Sequence, residues 1–206
     1  LVGRLNDLGI LVDVSHCSDQ TTLDAVEASE KPVACTHTAA RTISAHARAK
    51  PDHVLRSVAE RGGYIGILAV PFFILPPYGD ARARERGLPE GNATLDMMVD
   101  HIVHVLRIAG SDAIGIGSDW SKPFQDVLHG ARSRRALATR SLTSGFDWVG
   151  WRPEDRYSRE AYTSGFESWD LWPNITAAML RRGIPEDTVV KVLGQNFLRV
   201  FGAACG

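Results

Sequence analysis

The chain has 206 residues, a formal net charge of −1, and 44% hydrophobic and 23% charged residues. This length is enough for one domain with a substantial core. The balanced charge, with no basic stripe, argues against a nucleic-acid partner, and the apolar runs are too short for a membrane segment.

Strand signals alternate with helix signals along the chain. Short apolar runs predict strands at residues 9–16, 32–37, 63–70 and 112–119. Amphipathic segments with caps predict helices at residues 1–8, 19–29, 51–61, 95–109, 173–182 and 185–201. We expect a long loop over residues 71–93 and an irregular insertion over residues 120–171.

This alternation predicts an α/β fold with parallel strands joined by right-handed crossovers. Four strands at this spacing correspond to half of a (β/α)8 barrel, and an open doubly wound sheet is the alternative. The sheet alternative is disfavoured because no Gly-rich dinucleotide loop follows the first strand. The three cysteines, Cys17, Cys35 and Cys205, contain no CxxC pair. They favour a reducing, cytoplasmic compartment, although any targeting signal would lie upstream of residue 1.

Three predicted strands end in side chains that handle metals or protons, namely His16, His37 and Asp119. The C-terminal ends of buried parallel strands are where barrel enzymes keep their chemistry. Imidazole nitrogen suits zinc, which lowers the pKa of a bound water to about 7, and a nearby carboxylate can relay the proton. Each histidine taken alone could instead bond a backbone carbonyl.

Several segments together carry a family resemblance. The motif N-x-x-G-I-L-V-D-V-S-H ends at His16, and P-V-A-C-T-H-T contains His37. G-I-G-S-D ends at Asp119, and the chain closes with L-G-Q-N-F-L-R-V-F. These segments resemble the signature motifs of the membrane (renal) dipeptidase family of zinc peptidases, and the resemblance covers nearly the whole chain outside residues 120–165.

The resemblance implies strands five to eight of a (β/α)8 TIM-type barrel of the metal-dependent hydrolase type. We therefore expect residues 1–206 to form a single partial barrel domain that lacks strands one to four. Residues 120–171 would be a lid-like insertion within it. The first residue, Leu1, is not a methionine, and we expect that the beginning of the natural chain is missing.

The resemblance also implies roles for individual residues. His16 and His37 would bind the second of two zinc ions, and Asp119 would be the catalytic carboxylate that accepts and returns the proton. Arg48 would bind the substrate carboxylate, a task for which the guanidinium fork is suited. The implied substrate is a dipeptide, and the intact protein would be a homodimer.

Other observations keep alternatives open. Two histidines cannot hold a catalytic zinc, which normally takes three protein ligands and a water. Trp120-Ser121-Lys122 replaces the common F-D-G after the aspartate, and Ala49 replaces an asparagine after Arg48. The chain could therefore belong to an amidohydrolase of another small amide or lactone, or be an inactive half-barrel that only packs or binds. We predict structural or surface roles for His101 and His104 on the helix over residues 95–109.

Overall fold

Helices surround a short parallel sheet in the computed structural model, which describes residues 1–75, 93–119 and 163–206. The α-helices are α1 (Val2–Asp7), α2 (Asp19–Ala28), α3 (Arg41–Ser44), α4 (Asp52–Glu60), α5 (Pro71–Ile74), α6 (Leu95–Ala109), α7 (Pro173–Arg181), α8 (Glu186–Val190) and α9 (Asn196–Cys205). The strands are β1 (Ala34–Thr38), β2 (Tyr64–Ile67), β3 (Ala93–Thr94), β4 (Ile114–Ile116) and β5 (Thr163–Ser164). Most of the predicted loop and insertion lies outside the described residues.

The main sheet has the strand order β1-β2-β4, and both pairings are parallel. Ile65 of β2 pairs with Cys35 on one side and with Ile114 on the other. A second, two-stranded parallel sheet joins β3 to β5. The α/β prediction is therefore confirmed. Because both pairings are parallel, His37 near the end of β1 and Asp119 after β4 lie towards the same end of the main sheet.

The predicted first strand is present only as a single parallel bridge between Asp13 and Ala34. Val14 N donates to Ala34 O at 2.8 Å, and Ala34 N donates to Val12 O at 2.9 Å. Beyond this point the side chain of Asp13 accepts from the backbone N–H groups of Ser15 and Thr36. The backbone ladder stops here because Thr36 N donates to the Asp13 carboxylate and not to a backbone carbonyl.

Side-chain caps explain where two of the main helices begin. Ser18 Oγ accepts from Thr21 N at the start of α2, and Thr94 Oγ1 accepts from Met97 N at the start of α6. The long helix α6 ends at Gly110, whose φ of 79° is one that glycine adopts readily. In the described parts of the chain, no helix combines the length and apolarity that a membrane span requires.

The helix predicted over residues 185–201 is present, but it is kinked: a wide π-helical turn over Lys191–Gln195 joins α8 to α9. Gly194 lies inside this turn with non-helical dihedral angles, φ 169° and ψ −24°. Asn196 follows, and its buried Nδ2 donates to Ser111 O at 2.7 Å and to Ile114 O at 2.8 Å. The turn therefore directs Asn196 to the backbone at the start of β4.

His101 joins three elements of the core. It is fully buried on α6, its Nδ1 accepts from Ala40 N at 3.0 Å, and its Nε2 bonds to Ile74 O at 3.1 Å. Burial lowers the pKa of His101 to about 4, although the bond to Ile74 acts in the opposite direction. His101 is therefore neutral near pH 7, as its two backbone partners require.

We predict that His101 makes the fold sensitive to acid. The pKa of His101 is about 4 in the folded chain, against an ordinary value of 6.5. Between these values the unfolded chain binds more protons, so stability falls as the pH decreases from 6.5 to 4, by about 3 kcal/mol for this group. Urea unfolding at several pH values measures the loss.

The matched variant is His101→Gln, which cannot titrate. We expect it to be less stable than the wild type at pH 7, because two backbone groups lose a well-placed partner. Its stability should depend less steeply on pH between 6.5 and 4. Equal slopes for the two proteins in this range would contradict the role given to His101.

Candidate active site

The rings of His16 and His37 meet at the C-terminal end of the sheet. Their Nε2 atoms are 2.9 Å apart, and their ring centroids are 5.0 Å apart. His16 follows the Asp13 bridge, whereas His37 lies on β1, so two separate chain segments supply the pair. The pair is open to solvent. Sequence analysis predicted that these two histidines would lie together, and the structure brings them together.

Two glycines allow the neighbouring strands to approach the His37 segment closely. A Cβ at Gly66 would lie 2.0 Å from Thr36 O, and a Cβ at Gly117 would lie 1.7 Å from the same atom and 3.3 Å from His37 Cα. Any side chain at Gly117 would therefore push β1 away. Because Gly117 is two residues before Asp119, this close approach brings the end of the β4 segment alongside His37.

Asp13 is the centre of a hydrogen-bond network that reaches His37. Its Oδ1 accepts from Ser15 N at 2.9 Å, Ser15 Oγ at 2.5 Å and Thr36 N at 3.2 Å, and its Oδ2 accepts from Thr36 Oγ1 at 2.5 Å. Partial loss of solvent raises the pKa of Asp13, but these hydrogen bonds outweigh it and hold the pKa below its usual value. Thr36 Oγ1 also lies 2.9 Å from His37 Nδ1.

Two cationic side chains hold the backbone on either side of His16. Arg48 Nη1 donates to Ser15 O, and Arg48 Nη2 donates to His37 O at 3.3 Å. Lys50 is buried, and its Nζ donates to Cys17 O and to Thr22 Oγ1. The loop that carries Arg48 and Lys50 therefore fixes the carbonyl groups of residues 15 and 17, between which His16 projects.

Asp119 lies at the exposed end of the segment that follows β4. Its φ is 56°, in the left-handed region that few residues other than glycine adopt, although aspartate tolerates it better than most. The adjacent Ser118 is held in place because its carbonyl accepts from Ala69 N at 3.0 Å. Backbone strain of this kind concentrates at functional sites.

The charges of these groups act on one another. Partial burial lowers the pKa of His16, and positive Arg48 and neighbouring His37 lower it further, against the opposing carboxylates of Asp119 and Asp13. Partial burial likewise lowers the pKa of Arg48, and Asp119 and Asp13 oppose that shift. The aspartate predicted from sequence is therefore electrostatically coupled to both His16 and Arg48.

The histidine pair fits part of a metal site. Zinc–nitrogen bonds of about 2.0–2.1 Å in tetrahedral geometry place two ligand nitrogens about 3.3 Å apart. The observed Nε2 separation is 2.9 Å, so a small opening of the pair admits a shared ion. Within residues 1–75, 93–119 and 163–206, no group of three or more His, Cys, Asp or Glu side chains is arranged to hold a metal.

Sequence reasoning assigned no role to several residues of this network. Asp13, Ser15 and Thr36 stood in the quoted motifs, and the available signal was a hydroxyl residue directly before each histidine. Lys50 gave no signal, because a lysine is rarely buried. His104 was predicted to have a structural or surface role, and its Nε2 lies 2.8 Å from Asp52 Oδ1 at the start of α4, which agrees with the structural alternative.

Comparison with known proteins gives consistent matches. A family model described as membrane dipeptidase (peptidase family M19) matches residues 1–144. The dipeptidase tcpJ of Claviceps purpurea is 30% identical over 200 residues, which are 97% of this chain and 36% of that protein. The chain thus spans about a third of the length of this relative.

Solved structures share the fold. An amidohydrolase from Pseudomonas aeruginosa superposes with a TM-score of 0.74 at 28% identity, over 100% of this chain and 55% of its own. A metallo peptidase from Rhodobacter sphaeroides, solved with a phosphinate mimic of the dipeptide L-Ala-D-Ala, gives a TM-score of 0.69 at 20% identity. That match covers 98% of this chain and 45% of the other, and at this identity the likeness concerns the fold alone.

The clamp formed by Arg48 leads to a prediction about stability. Arg48→Ala removes a charged donor from the carbonyls of Ser15 and His37, and we expect the free energy of unfolding to fall by about 2 kcal/mol. The urea midpoint measures this change. The control is Arg4→Ala, which removes only an exposed ion pair with Asp7 and should cost less than about 0.5 kcal/mol. Equal losses in the two variants would contradict the clamp.

Proposed function

Because this chain belongs to the membrane dipeptidase family, whose model matches residues 1–144, we propose that it carries part of the active site of a metal-dependent dipeptidase. The observation that carries the proposal is the approach of the two Nε2 atoms to 2.9 Å at the C-terminal end of a parallel sheet. Imidazoles from two separate segments meet there with their metal-binding atoms facing each other. The family resemblance inferred from the sequence motifs is confirmed.

We propose that His16 and His37 bind one zinc ion, and that further ligands and a second zinc ion complete the site. Bound zinc would supply Lewis acidity and lower the pKa of a bound water. Two features of this chain support the proposed zinc ligands. Both donors are imidazoles, which suit zinc, and the carboxylate of Asp13 supports His37 from behind through Thr36, as acceptors behind metal-bound histidines commonly do.

Asp119 is the proposed catalytic carboxylate. In this role it accepts a proton from the attacking water and gives it to the departing amine of the cleaved dipeptide. Its exposure leaves the carboxylate accessible to water and substrate. The segment that carries Asp119 passes His37 at Gly117, where a Cβ would lie 3.3 Å from His37 Cα, and this supports a position on the same rim as the proposed metal ligands.

Arg48 is proposed to bind the carboxylate of the dipeptide. Two of its guanidinium N–H groups bond to carbonyls, and the guanidinium carries five donors in all, so donors remain for a ligand. Arg48 Cζ also lies 5.8 Å from the centre of the Phe73 ring, which packs against one side of the guanidinium. Arg48 would therefore hold both the loop backbone and the substrate.

We further propose that the chain corresponds to strands five to eight of a (β/α)8 barrel. The parallel order of β1, β2 and β4, with the Asp13 bridge beyond β1, supports this correspondence. So does the superposition of the whole chain on 55% of the amidohydrolase from Pseudomonas aeruginosa. That relative also supports the second candidate function, which is hydrolysis of a different small amide.

We predict that zinc titrated into the chain binds at the histidine pair. His16→Ala and His37→Ala should each lower zinc affinity at least about tenfold, because each removes one of two imidazole ligands. Isothermal titration calorimetry measures the affinity. His53→Ala is the matched control, since His53 is exposed and lies outside the site. Unchanged zinc binding in the His16→Ala/His37→Ala double variant would refute the proposed site.

The two candidate functions differ in whether the substrate carries a carboxylate. In the active protein containing this chain, a dipeptide should have a kcat/KM about 10- to 100-fold above that of its C-terminal amide, because only the free carboxylate bonds to Arg48. Arg48→Lys should reduce this ratio by lowering kcat/KM for the dipeptide. The kcat/KM for the amide provides the internal control. Equal kcat/KM values for dipeptide and amide in the wild type would favour the amidohydrolase.

A further inference from the structure

We propose that Asp13 is a positioning residue that acts through Thr36 to keep the imidazole proton of His37 on Nδ1. The lone pair then lies on Nε2, the nitrogen that faces His16 Nε2 at 2.9 Å and would bind a metal ion. The inference deepens the proposed function and rests on it where it concerns the metal. The arrangement of protons in the metal-free chain can be tested separately. The number of protons that each group in the network can donate determines where the His37 proton lies.

The hydroxyl of Thr36 has a single proton, and it is committed to Asp13. Thr36 Oγ1 donates to Asp13 Oδ2 at 2.5 Å, and an ionised carboxylate can only accept. Thr36 Oγ1 is also 2.9 Å from His37 Nδ1. Since the hydroxyl proton is already used, Nδ1 must be the donor in this second bond. In a neutral imidazole the lone pair then lies on Nε2.

The orientation of Asp13 is fixed by donors that cannot be reversed. Its Oδ1 accepts from two backbone N–H groups, those of Ser15 at 2.9 Å and Thr36 at 3.2 Å. Ser15 Oγ donates to the same oxygen and accepts from His37 N at 3.1 Å. The position of Oδ1 therefore requires an acceptor, and Oδ2 is the oxygen that faces the Thr36 hydroxyl.

Asp13→Asn is an informative variant because the two carboxylate oxygens have different partners: Oδ1 accepts from backbone N–H groups and Oδ2 from the Thr36 hydroxyl. The amide oxygen must take the place of Oδ1, because backbone N–H groups point at it. The amide nitrogen then takes the place of Oδ2 and donates to Thr36 Oγ1. The Thr36 hydroxyl is released to donate to His37 Nδ1, and the imidazole proton moves to Nε2. A substitution of nearly equal size thus moves the proton to the nitrogen that would bind the metal.

The tautomer is read directly by long-range ¹H–¹⁵N correlation spectra of the histidine rings, recorded on the metal-free chain above pH 7. We expect His37 to be mainly the Nδ1–H form in the wild type and to shift towards Nε2–H in Asp13→Asn. Thr36→Val should give a mixture of forms, and Thr36→Ser should retain the wild-type form, because it keeps the hydroxyl. An unchanged His37 spectrum in Asp13→Asn overturns the proposal.

Two controls separate this effect from a general loss of structure. Thr38→Val changes the next residue but one along β1, and the buried Thr38 Oγ1 has no hydrogen-bond partner among the described residues. It should leave the His37 tautomer unchanged. In every sample His101 reports on the fold, because its contacts with Ala40 and Ile74 require the Nε2–H form. A His37 shift counts only where His101 keeps its wild-type signals.

Zinc affinity provides the second measurement. Asp13→Asn and Thr36→Val should each lower the affinity of the chain for zinc by about 10- to 100-fold, and Thr36→Ser should restore it to near the wild-type value. If zinc shifts neither His16 nor His37 signals in the wild type, the proposed metal site fails while the tautomer result stands. If zinc binds there and Asp13→Asn binds it equally well, the positioning role fails and the metal site stands.

Discussion

The site depends on the hydrogen bonds of the Asp13 carboxylate. They end the backbone pairing with β1, and they connect Asp13 through Thr36 to His37. The backbone ladder between the Asp13 segment and β1 extends only to Ala34. From there the two segments are joined by the bonds of Ser15 and Thr36 to Asp13. The Asp13 side chain thus takes the place of main-chain pairing just before His16 on one segment and His37 on the other.

The loop that carries Arg48 is held from both sides. Towards the site, Arg48 and Lys50 bond to the carbonyls that flank His16. On the outer side, two histidines of α6 hold the ends of the same loop, since His101 accepts from Ala40 N and His104 bonds to Asp52. A helix on the outside of the sheet thereby supports the backbone that presents Arg48 on the inside. Such support gives an exposed site a defined geometry.

Sequence reasoning succeeded where local signals and the family motifs agreed. The long helix α6 has the predicted bounds because Thr94 caps it and Gly110 ends it. The parallel arrangement followed from the alternation of strands and helices. The helix predicted over residues 185–201 is present, but its kink was missed, since an apolar periodicity does not reveal the wide turn at Gly194. The predicted first strand is reduced to one bridge because the Asp13 side chain accepts the backbone hydrogen bond of Thr36. The alternation of apolar and polar residues does not reveal this use of Asp13.

By itself the sequence determined the family, the alternating α/β order and the identity of the polar residues that end the strands, because these depend on local composition and spacing. The tertiary structure decided which of those residues meet. It placed the two Nε2 atoms 2.9 Å apart, buried Lys50 against the backbone of Cys17, and gave Asp119 a left-handed conformation. These outcomes depend on the packing of segments distant in sequence, so no local pattern contains them.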